Sequence, residues 1–241
     1  LLASSAASDV YKRQTYRGGK RAVDSLTLHV EPGDIYGFIG HNGAGKTTAI
    51  RSAVGVLDFT EGDIFINGVS VKADPMRCKQ DLAYIPDNPD IYDYLTGIQY
   101  LTFIADIYGV SRTMRDERIK RYADAMSITG RLGELISSYS HGMKQKLCIV
   151  SALIHDPKLM VLDEPFVGLD PVASHTLKTI MKEMCGRGAA IFFSTHVLPV
   201  AESLCNKIAI IKEGKLVVSG PTAMVKGNTT LEDVFLELIE E

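Results

Sequence analysis

A run of glycines with one lysine and two threonines lies between an apolar segment and a segment of helical character. The apolar segment is Ile35–Ile39, and the run after it is Gly40-His41-Asn42-Gly43-Ala44-Gly45-Lys46-Thr47-Thr48. Strand, glycine loop and helix are the context in which the pattern GxxxxGK[ST] holds phosphate groups. Glycines let several backbone N–H groups point at one anion, and a helix starting near Lys46 adds its positive dipole end. The alternative is an ordinary glycine-rich turn.

Lys46 and Thr47 supply the functional side chains of this loop. The lysine can reach the outer phosphates of a nucleotide as a mobile point charge. The threonine hydroxyl can bind a magnesium ion that bridges those phosphates. The loop therefore predicts a site for a nucleoside triphosphate with Mg²⁺.

Two carboxylates follow a second apolar run, Leu159–Leu162. A strand buried on both faces that ends in Asp163 and Glu164 places charge at the carboxyl edge of the sheet, where open α/β folds bind ligands. Asp163 would hold the magnesium through water, and Glu164 would orient and polarise the attacking water. The alternative is an acidic strand end that faces solvent.

A helix start lies between these two motifs in the sequence, at Tyr139-Ser140-His141-Gly142-Met143-Lys144-Gln145. Ser140 is a good N-cap, and the N–H groups beside it face outward with the helix dipole. Taken alone, this stretch indicates a well-capped helix and nothing more.

The elements that must position these residues alternate between strands and helices, which predicts a mainly parallel α/β core. The helix-rich part, about residues 88–156, interrupts this core as a subdomain. An antiparallel part is expected on the N-terminal side, with a hairpin over 62–71 that turns at Asn67-Gly68. Further strands are predicted at Ser25–Val30, Leu82–Ile85, Ala190–Ser194, Ile208–Lys212 and Leu216–Ser219. Helices are predicted at Ala49–Val56, Ile98–Tyr108, Met114–Met126, Gly142–Ile154 and Leu231–Leu238.

Composition excludes several classes of protein. Apolar residues make up 46% of the 241, enough for a sizeable core, and the net charge of −3 gives no electrostatic footprint for nucleic acid. No apolar run approaches the roughly 18 residues of a membrane-spanning helix. The four cysteines have no CxxC spacing and indicate reduced, buried thiols in a cytosolic protein.

In this order, the motifs resemble the nucleotide-binding domain of ATP-binding cassette (ABC) transporters over about Thr15–Gly220. The resemblance implies an ATPase that uses ATP and Mg²⁺. It identifies Ser140–Met143 with the signature segment, usually LSGGQ, and Gly168–Pro171 with the D-loop. His196 corresponds to a switch histidine that bonds the terminal phosphate, although a lone histidine after a strand is more often structural. Tyr16 corresponds to an aromatic residue that stacks on adenine.

Several residues depart from the family pattern. The signature segment is preceded by Tyr139 in place of Leu and carries His141 for the first Gly and Met143 for Gln. Ser140 and Gly142 remain. Asp87 occupies the position of the family's glutamine loop, where it can still accept from metal-bound water but is shorter and charged.

The resemblance also implies partners. Two cassettes of this family pair so that each ATP lies between the phosphate loop of one chain and the signature segment of the other, with Asp170 nearby. This predicts a homodimer, or a pair with a paralogue, at the inner face of the cell membrane and in the cytoplasm. The surface over about 87–110 would dock on a separate membrane permease.

The form Tyr-Ser-x-Gly-Met-Lys-Gln and the tail Leu231-Glu232-Asp233-Val234-Phe235 resemble ATPases of bacterial ABC-2-type exporters. Export is therefore the expected direction of transport. The alternatives are an ABC protein outside transport and a phosphate-loop kinase of a small metabolite, which would need neither the signature segment nor a second chain.

The first residues suggest an origin outside the domain. Asp9-Val10-Tyr11-Lys12-Arg13-Gln14 resembles the translation of a sequencing-library transposon adapter. Residues 1–14 are therefore predicted to be an artefact. The expected domain organisation is an ATPase domain over 15–225 and a tail with a helix over 226–241.

Overall fold

A six-stranded sheet runs through the centre of the computed structural model, which describes residues 8–15, 21–59 and 61–240. Neighbouring strands are parallel except for β10, which is antiparallel to β9. The predicted mainly parallel α/β core is confirmed. In spatial order the strands are β10 (Lys215–Pro221), β9 (Lys207–Lys212), β3 (Ile35–Ile39), β8 (Ala190–Thr195), β7 (Leu159–Asp163) and β6 (Leu82–Ile85).

Two antiparallel strand pairs lie outside this sheet. β1 (Ser8–Thr15) pairs with β2 (Arg21–Val30), and β4 (Phe65–Ile66) pairs with β5 (Val69–Ser70). Asn67 and Gly68 both have positive φ, 51° and 76°, as a two-residue hairpin turn requires. Almost any sequence has the backbone N–H and C=O groups that pair β1 with β2. The pairing therefore does not test the origin of residues 1–14, which stays a prediction.

The helices surround the central sheet. Their ranges are α1 (Lys46–Ala53), α2 (Pro75–Asp81), α3 (Gly97–Ile107), α4 (Arg112–Ala125), α5 (His141–Leu153), α6 (Pro171–Gly186), α7 (Leu198–Leu204), α8 (Thr222–Lys226) and α9 (Leu231–Glu240). In the described part of the chain, none of these helices is long and apolar enough to cross a bilayer.

Four helices were not predicted from the sequence: α2, α6, α7 and α8. In α2 and α6 the start is nevertheless marked, because Asp74 and Asp170 cap the backbone and proline occupies the first helical position. Helix α1 begins at Lys46 as expected and ends at Ala53, before Gly55, whose φ is +71°. The predicted end at Val56 was too late.

The segment between β6 and β7 is helical, with α3, α4, two short 3₁₀ turns and α5. This agrees with the helix-rich stretch predicted over about 88–156. The division into an ATPase domain over 15–225 and a tail over 226–241 remains a prediction.

The central strands bury alternate residues in two separate apolar clusters. Ile39 and Phe193 pack on the face covered by α5, α6 and α7, whereas Phe38 and Phe192 pack on the face covered by α1 and β2. Every residue of β3, β7 and β8 is buried, as expected of strands covered on both faces. All four cysteines are free and buried. The sheet is thereby fixed firmly enough to position the loops at its edge.

Candidate functional site

The glycine loop turns sharply between β3 and α1. Gly43 and Gly45 have φ values of +83° and +105°, which L side chains rarely adopt. Gly40 is required for a different reason, since a Cβ at this position would lie 2.8 Å from the Ile211 carbonyl oxygen of β9. The loop is also tied to the sheet edge, because the Gly214 N–H donates to the Ala44 carbonyl at 2.8 Å.

Lys46 folds back onto this loop. Its ammonium group donates to the Gly40 carbonyl at 2.7 Å and to the His41 carbonyl at 3.3 Å. The side chain is buried, and burial lowers the pKa of Lys46, opposed by the nearby charges of Glu164 and Asp163. The loop carbonyls thus accept the Lys46 N–H groups that would donate to a phosphate once a nucleotide binds.

His41, Asn42 and Thr48 complete the loop and its helix start. The exposed His41 ring donates from Nδ1 to the Asn42 carbonyl at 2.7 Å. Asn42, Thr48 and most of the predicted phosphate-binding residues line one cleft of about 260 Å³. The residues around this cleft are Asn42, Gly43, Gly45, Lys46, Thr47, Thr48, Asp87, Asp163 and Glu164.

Asp163 is fully buried at the end of β7. Its Oδ1 accepts from the Ser194 hydroxyl at 2.5 Å, and its Oδ2 has no hydrogen-bond partner among the described residues. Burial raises the pKa of Asp163, while the hydrogen bond from Ser194 and the nearby Thr47 hydroxyl act in the opposite direction. A buried carboxylate oxygen with no partner is costly unless something binds it. Asp163 and Thr47 therefore fit a hard cation.

The described residues hold no group of three or more His, Cys, Asp or Glu side chains arranged as a metal site. Mg²⁺ does not need one, since it is usually held by one or two carboxylates, substrate phosphates and water. The donors Thr47 and Asp163, with Asp87 at the rim of the same cleft, are consistent with this mode of binding.

Glu164 stands between the His196 ring and the Lys46 ammonium group. Its Oε1 lies 2.9 Å from His196 Nδ1 and 3.8 Å from Lys46 Nζ, and the Glu164 side chain is only 16% exposed. The backbone of Glu164 adopts a φ of +48°, an unusual value for a non-glycine residue, and its N–H donates to Ser194 Oγ at 3.0 Å. This conformation directs the carboxylate toward the phosphate loop.

The structure brings Asp87 to the cleft with an unexpected partner. The Asp87 carboxylate lies 3.7 Å from the Arg51 guanidinium of α1. The adjacent Tyr84 hydroxyl is buried. Its interaction with the Arg51 guanidinium raises the pKa of that arginine. Nothing in the sequence pattern marked Arg51.

The structure does not bring the predicted signature and D-loop residues to this cleft. Ser140 caps α5, accepting from the Met143 N–H at 3.3 Å, and Gly142 lies against Gly168. Asp170 caps α6 by accepting from the Ala173 N–H at 2.8 Å. Tyr16 lies outside the described residues. Within one chain the cleft is thus lined by the phosphate loop, Asp87 and the end of β7.

Sequence reasoning missed Ser194, which contacts both carboxylate residues of the site. The register of β8 against β7 pairs Asp163 with Ser194, so the hydroxyl meets both the Asp163 side chain and the Glu164 backbone. A serine at the end of an apolar strand carries no pattern of its own. Only its short distance from His196 along the chain could have drawn attention to it.

Comparison with known proteins decides the family. The family model described as ABC transporter matches residues 23–167, which include the phosphate loop, the signature segment, Asp163 and Glu164. The chain belongs to the ABC transporter family. It is an ATP-binding, ATP-hydrolysing subunit of such a transporter.

Curated relatives of this ABC protein support the assignment. The ABC-type transporter ATP-binding protein EcsA of Bacillus subtilis is 35% identical over 224 residues, covering 91% of each chain. The bacitracin transport ATP-binding protein BcrA of Bacillus licheniformis is 36% identical over 205 residues, which are 85% of this chain and 66% of BcrA. The match to YhcH of Bacillus subtilis likewise spans only 65% of that relative's length.

Solved structures share the ABC fold. A structure described as the ATP-binding subunit of an ABC transporter superposes with a TM-score of 0.93 at 32% identity, covering 97% of this chain and 99% of the other. CbiO1 of Clostridium perfringens, described as part of the complex cbiONQ, superposes with a TM-score of 0.79 at 21% identity, which shows the fold alone.

Proposed function

We propose that this subunit powers export through a separate membrane permease, by hydrolysing magnesium-bound ATP between two copies of the chain or between this chain and a paralogue. The observation that carries the hydrolytic part is Glu164, whose carboxylate stands between His196 and Lys46 at the rim of the phosphate cleft. In that position Glu164 can accept a proton from an attacking water, and His196 can fix its orientation.

The other residues of the cleft have complementary roles. Lys46 exchanges its loop carbonyls for the outer phosphates, and the loop N–H groups hold the phosphate chain. Thr47, Asp163 and, at the rim, Asp87 would hold Mg²⁺, which neutralises charge on the phosphates when bound. Tyr16 would stack on adenine.

The signature segment and the D-loop supply the argument for a second chain. Ser140, Gly142 and Asp170 are placed away from the cleft that holds the phosphate loop of their own chain. If they contact ATP, as the family resemblance implies, they contact the ATP of a partner. A kinase of a small metabolite would have no use for these residues, and family membership removes the support for that alternative.

Export and the location of the protein are proposed from the sequence pattern and from one relative. The signature form and the tail resemble those of ABC-2-type exporters, and one relative is named for bacitracin transport. The cytoplasmic location, peripheral on the inner face of the membrane, follows from the proposed docking on a permease.

Substitution Glu164→Gln tests the hydrolytic role. The amide keeps the size of the side chain but cannot take a proton, so we expect nearly unchanged ATP binding and a loss of turnover of about a hundredfold or more. The variant should also accumulate as a dimer with ATP, observed by size-exclusion chromatography with light scattering.

The matched control is Glu117→Gln, on the exposed surface of α4. It should keep both turnover and the monomer–dimer behaviour of the unmodified chain. Turnover by Glu164→Gln at the unmodified rate would refute the assigned role.

A further inference from the structure

The signature segment (Ser140–Met143) and the D-loop (Gly168–Pro171) of the same chain are in direct contact. Gly142 packs so closely on the D-loop that a Cβ at this position would lie 2.6 Å from the Gly168 carbonyl oxygen. The Gly168 carbonyl is part of the backbone, so it cannot move aside as the end of a flexible side chain could. Only glycine at position 142 therefore allows this contact.

His141 covers the other side of the same D-loop glycine. A Cβ on Gly168 would lie 2.7 Å from Cδ2 and 3.2 Å from Nε2 of the His141 ring, so the ring rests directly against the Gly168 backbone. Gly168 has a φ of +79°, which gives the D-loop its turn at this point. The imidazole thus fills space that a glycine at position 141 would leave open.

An ion pair joins the two segments one turn further along α5. Lys146 Nζ lies 2.6 Å from Asp170 Oδ2, and the Lys146 side chain is only 15% exposed. The other carboxylate oxygen, Oδ1, caps α6 through the Ala173 N–H. Lys146 lowers the pKa of Asp170, so this carboxylate stays ionised at neutral pH. The D-loop is therefore held to α5 at both of its ends.

We propose that His141 is a positioning residue that locks the D-loop to the signature segment, so that the two meet a second chain as one preformed surface. The inference rests on the proposed function, in which both segments face the partner's nucleotide. The physical basis is entropy, because a loop held in its binding conformation loses less freedom on association than a loop that must be ordered. His141 contributes the van der Waals contact, and Lys146 with Asp170 contributes the electrostatic one.

Hydrogen exchange of the isolated chain tests the local contact without any need for a dimer. Amides in a peptide covering 166–172 should exchange several-fold faster in His141→Ala than in the unmodified protein, because the ring no longer covers Gly168. His175→Ala is the matched control, since it removes an exposed histidine from α6, just after this peptide. It should leave exchange in this peptide unchanged.

Dimer affinity tests the consequence. In a Glu164→Gln background with saturating ATP, His141→Ala should weaken the dimer by about tenfold, a usual size for the loss of one coupling contact. Binding of ATP to the monomer should not change, because His141 does not line the phosphate cleft. His141→Phe keeps a flat ring over Gly168 and should restore both the slow exchange and the dimer affinity.

Each outcome decides something different. Unchanged exchange in His141→Ala would overturn the proposed contact, and faster exchange with unchanged dimer affinity would overturn its role in positioning. Failure of His141→Phe to restore both properties would overturn the proposal that the ring acts by packing on Gly168. If the Glu164→Gln protein does not dimerise at all, the proposed function fails, and the exchange experiment still decides the contact.

Discussion

At the scale of single residues, the charged side chains of the site have polar partners within the folded chain. Lys46 donates hydrogen bonds to loop carbonyls, and the Glu164 carboxylate contacts the His196 ring. Asp163 keeps one oxygen without a partner among the described residues. Lys46 and Glu164 can exchange these contacts for contacts with a nucleotide and its attacking water. A cation can bind the unpartnered oxygen of Asp163. The site is therefore preorganised at the end that is proposed to bind the metal.

The variant Ser194→Ala should lower turnover more than it lowers ATP affinity, because Ser194 holds Asp163 and Glu164 in place. The hydroxyl joins the Asp163 carboxylate to the Glu164 backbone, and removing it frees both groups to shift. We expect turnover to fall about tenfold, as usual for a residue that orients metal ligands, with a smaller change in ATP affinity. Ser151→Ala, which removes a buried hydroxyl within α5, is the control for folding. Equal turnover of the two variants would contradict the role of Ser194.

Asp163→Asn should raise stability while it removes function. Burial raises the pKa of Asp163, so the native state binds this proton more tightly than the unfolded chain does. The contribution of this group to stability therefore falls as pH rises through its titration range. The uncharged amide avoids that loss, and without ATP or Mg²⁺ we expect a melting temperature about 3 °C higher at neutral pH.

The difference in melting temperature should shrink at acidic pH, where Asp163 itself becomes protonated. Thermal unfolding across a pH series measures this, with Asp63→Asn, an exposed position, as the control. A variant less stable than the unmodified chain at neutral pH would show that Asp163 is stabilised by Lys46 more than it is destabilised by burial.

At the scale of elements, α3 and the loop before it carry an exposed group of large apolar side chains. Tyr92, Tyr94 and Phe103 are 47%, 74% and 42% exposed, and Tyr92 contacts each of the other two rings. A groove of about 310 Å³ runs along α3 beside Phe103. Aromatic side chains in such numbers mark a protein interface more often than free surface. They lie within the surface over 87–110 that is proposed to dock on the permease.

Replacement of Tyr94 and Phe103 by alanine should therefore weaken binding to the permease partner, with little effect on the ATPase activity of the isolated chain. Co-purification of the two proteins from membranes measures the binding. Met224→Ala removes an equally exposed apolar side chain from α8, outside this surface, and should bind normally. Normal binding by the double variant would place the permease elsewhere.

At the scale of the whole molecule, the nucleotide cleft and the signature segment occupy separate parts of one chain. Turnover per chain should then rise with protein concentration in the dilute range, because hydrolysis in the proposed function takes place between two chains. Ser140→Arg should remove this dependence by blocking the partner's ATP, while ATP binding to the monomer is kept. Turnover that is independent of concentration down to nanomolar protein would favour hydrolysis within a single chain.

Much of the fold and part of the site could be predicted from the sequence because they depend on local patterns. Uninterrupted apolar runs marked β3, β7 and β8, and the glycines with Lys46 marked the phosphate loop. Helix α6 was missed even though Asp170-Pro171 is a strong start signal and its buried residues, among them Leu177, Met181 and Met184, recur at the helical period. Short helices such as α8 are fixed by packing and leave little trace in the sequence.

By itself, the sequence determined which residues could bind phosphate and metal, since glycine, lysine and hydroxyl side chains at fixed spacing dictate the backbone of the loop. Only the tertiary structure decided which of them meet. Ser194 reaches Asp163, and His196 reaches Glu164, because β7 and β8 are parallel neighbours that end at the same edge of the sheet. His141 reaches Gly168 across two elements. Such contacts depend on how distant elements pack, which no local spacing in the sequence encodes.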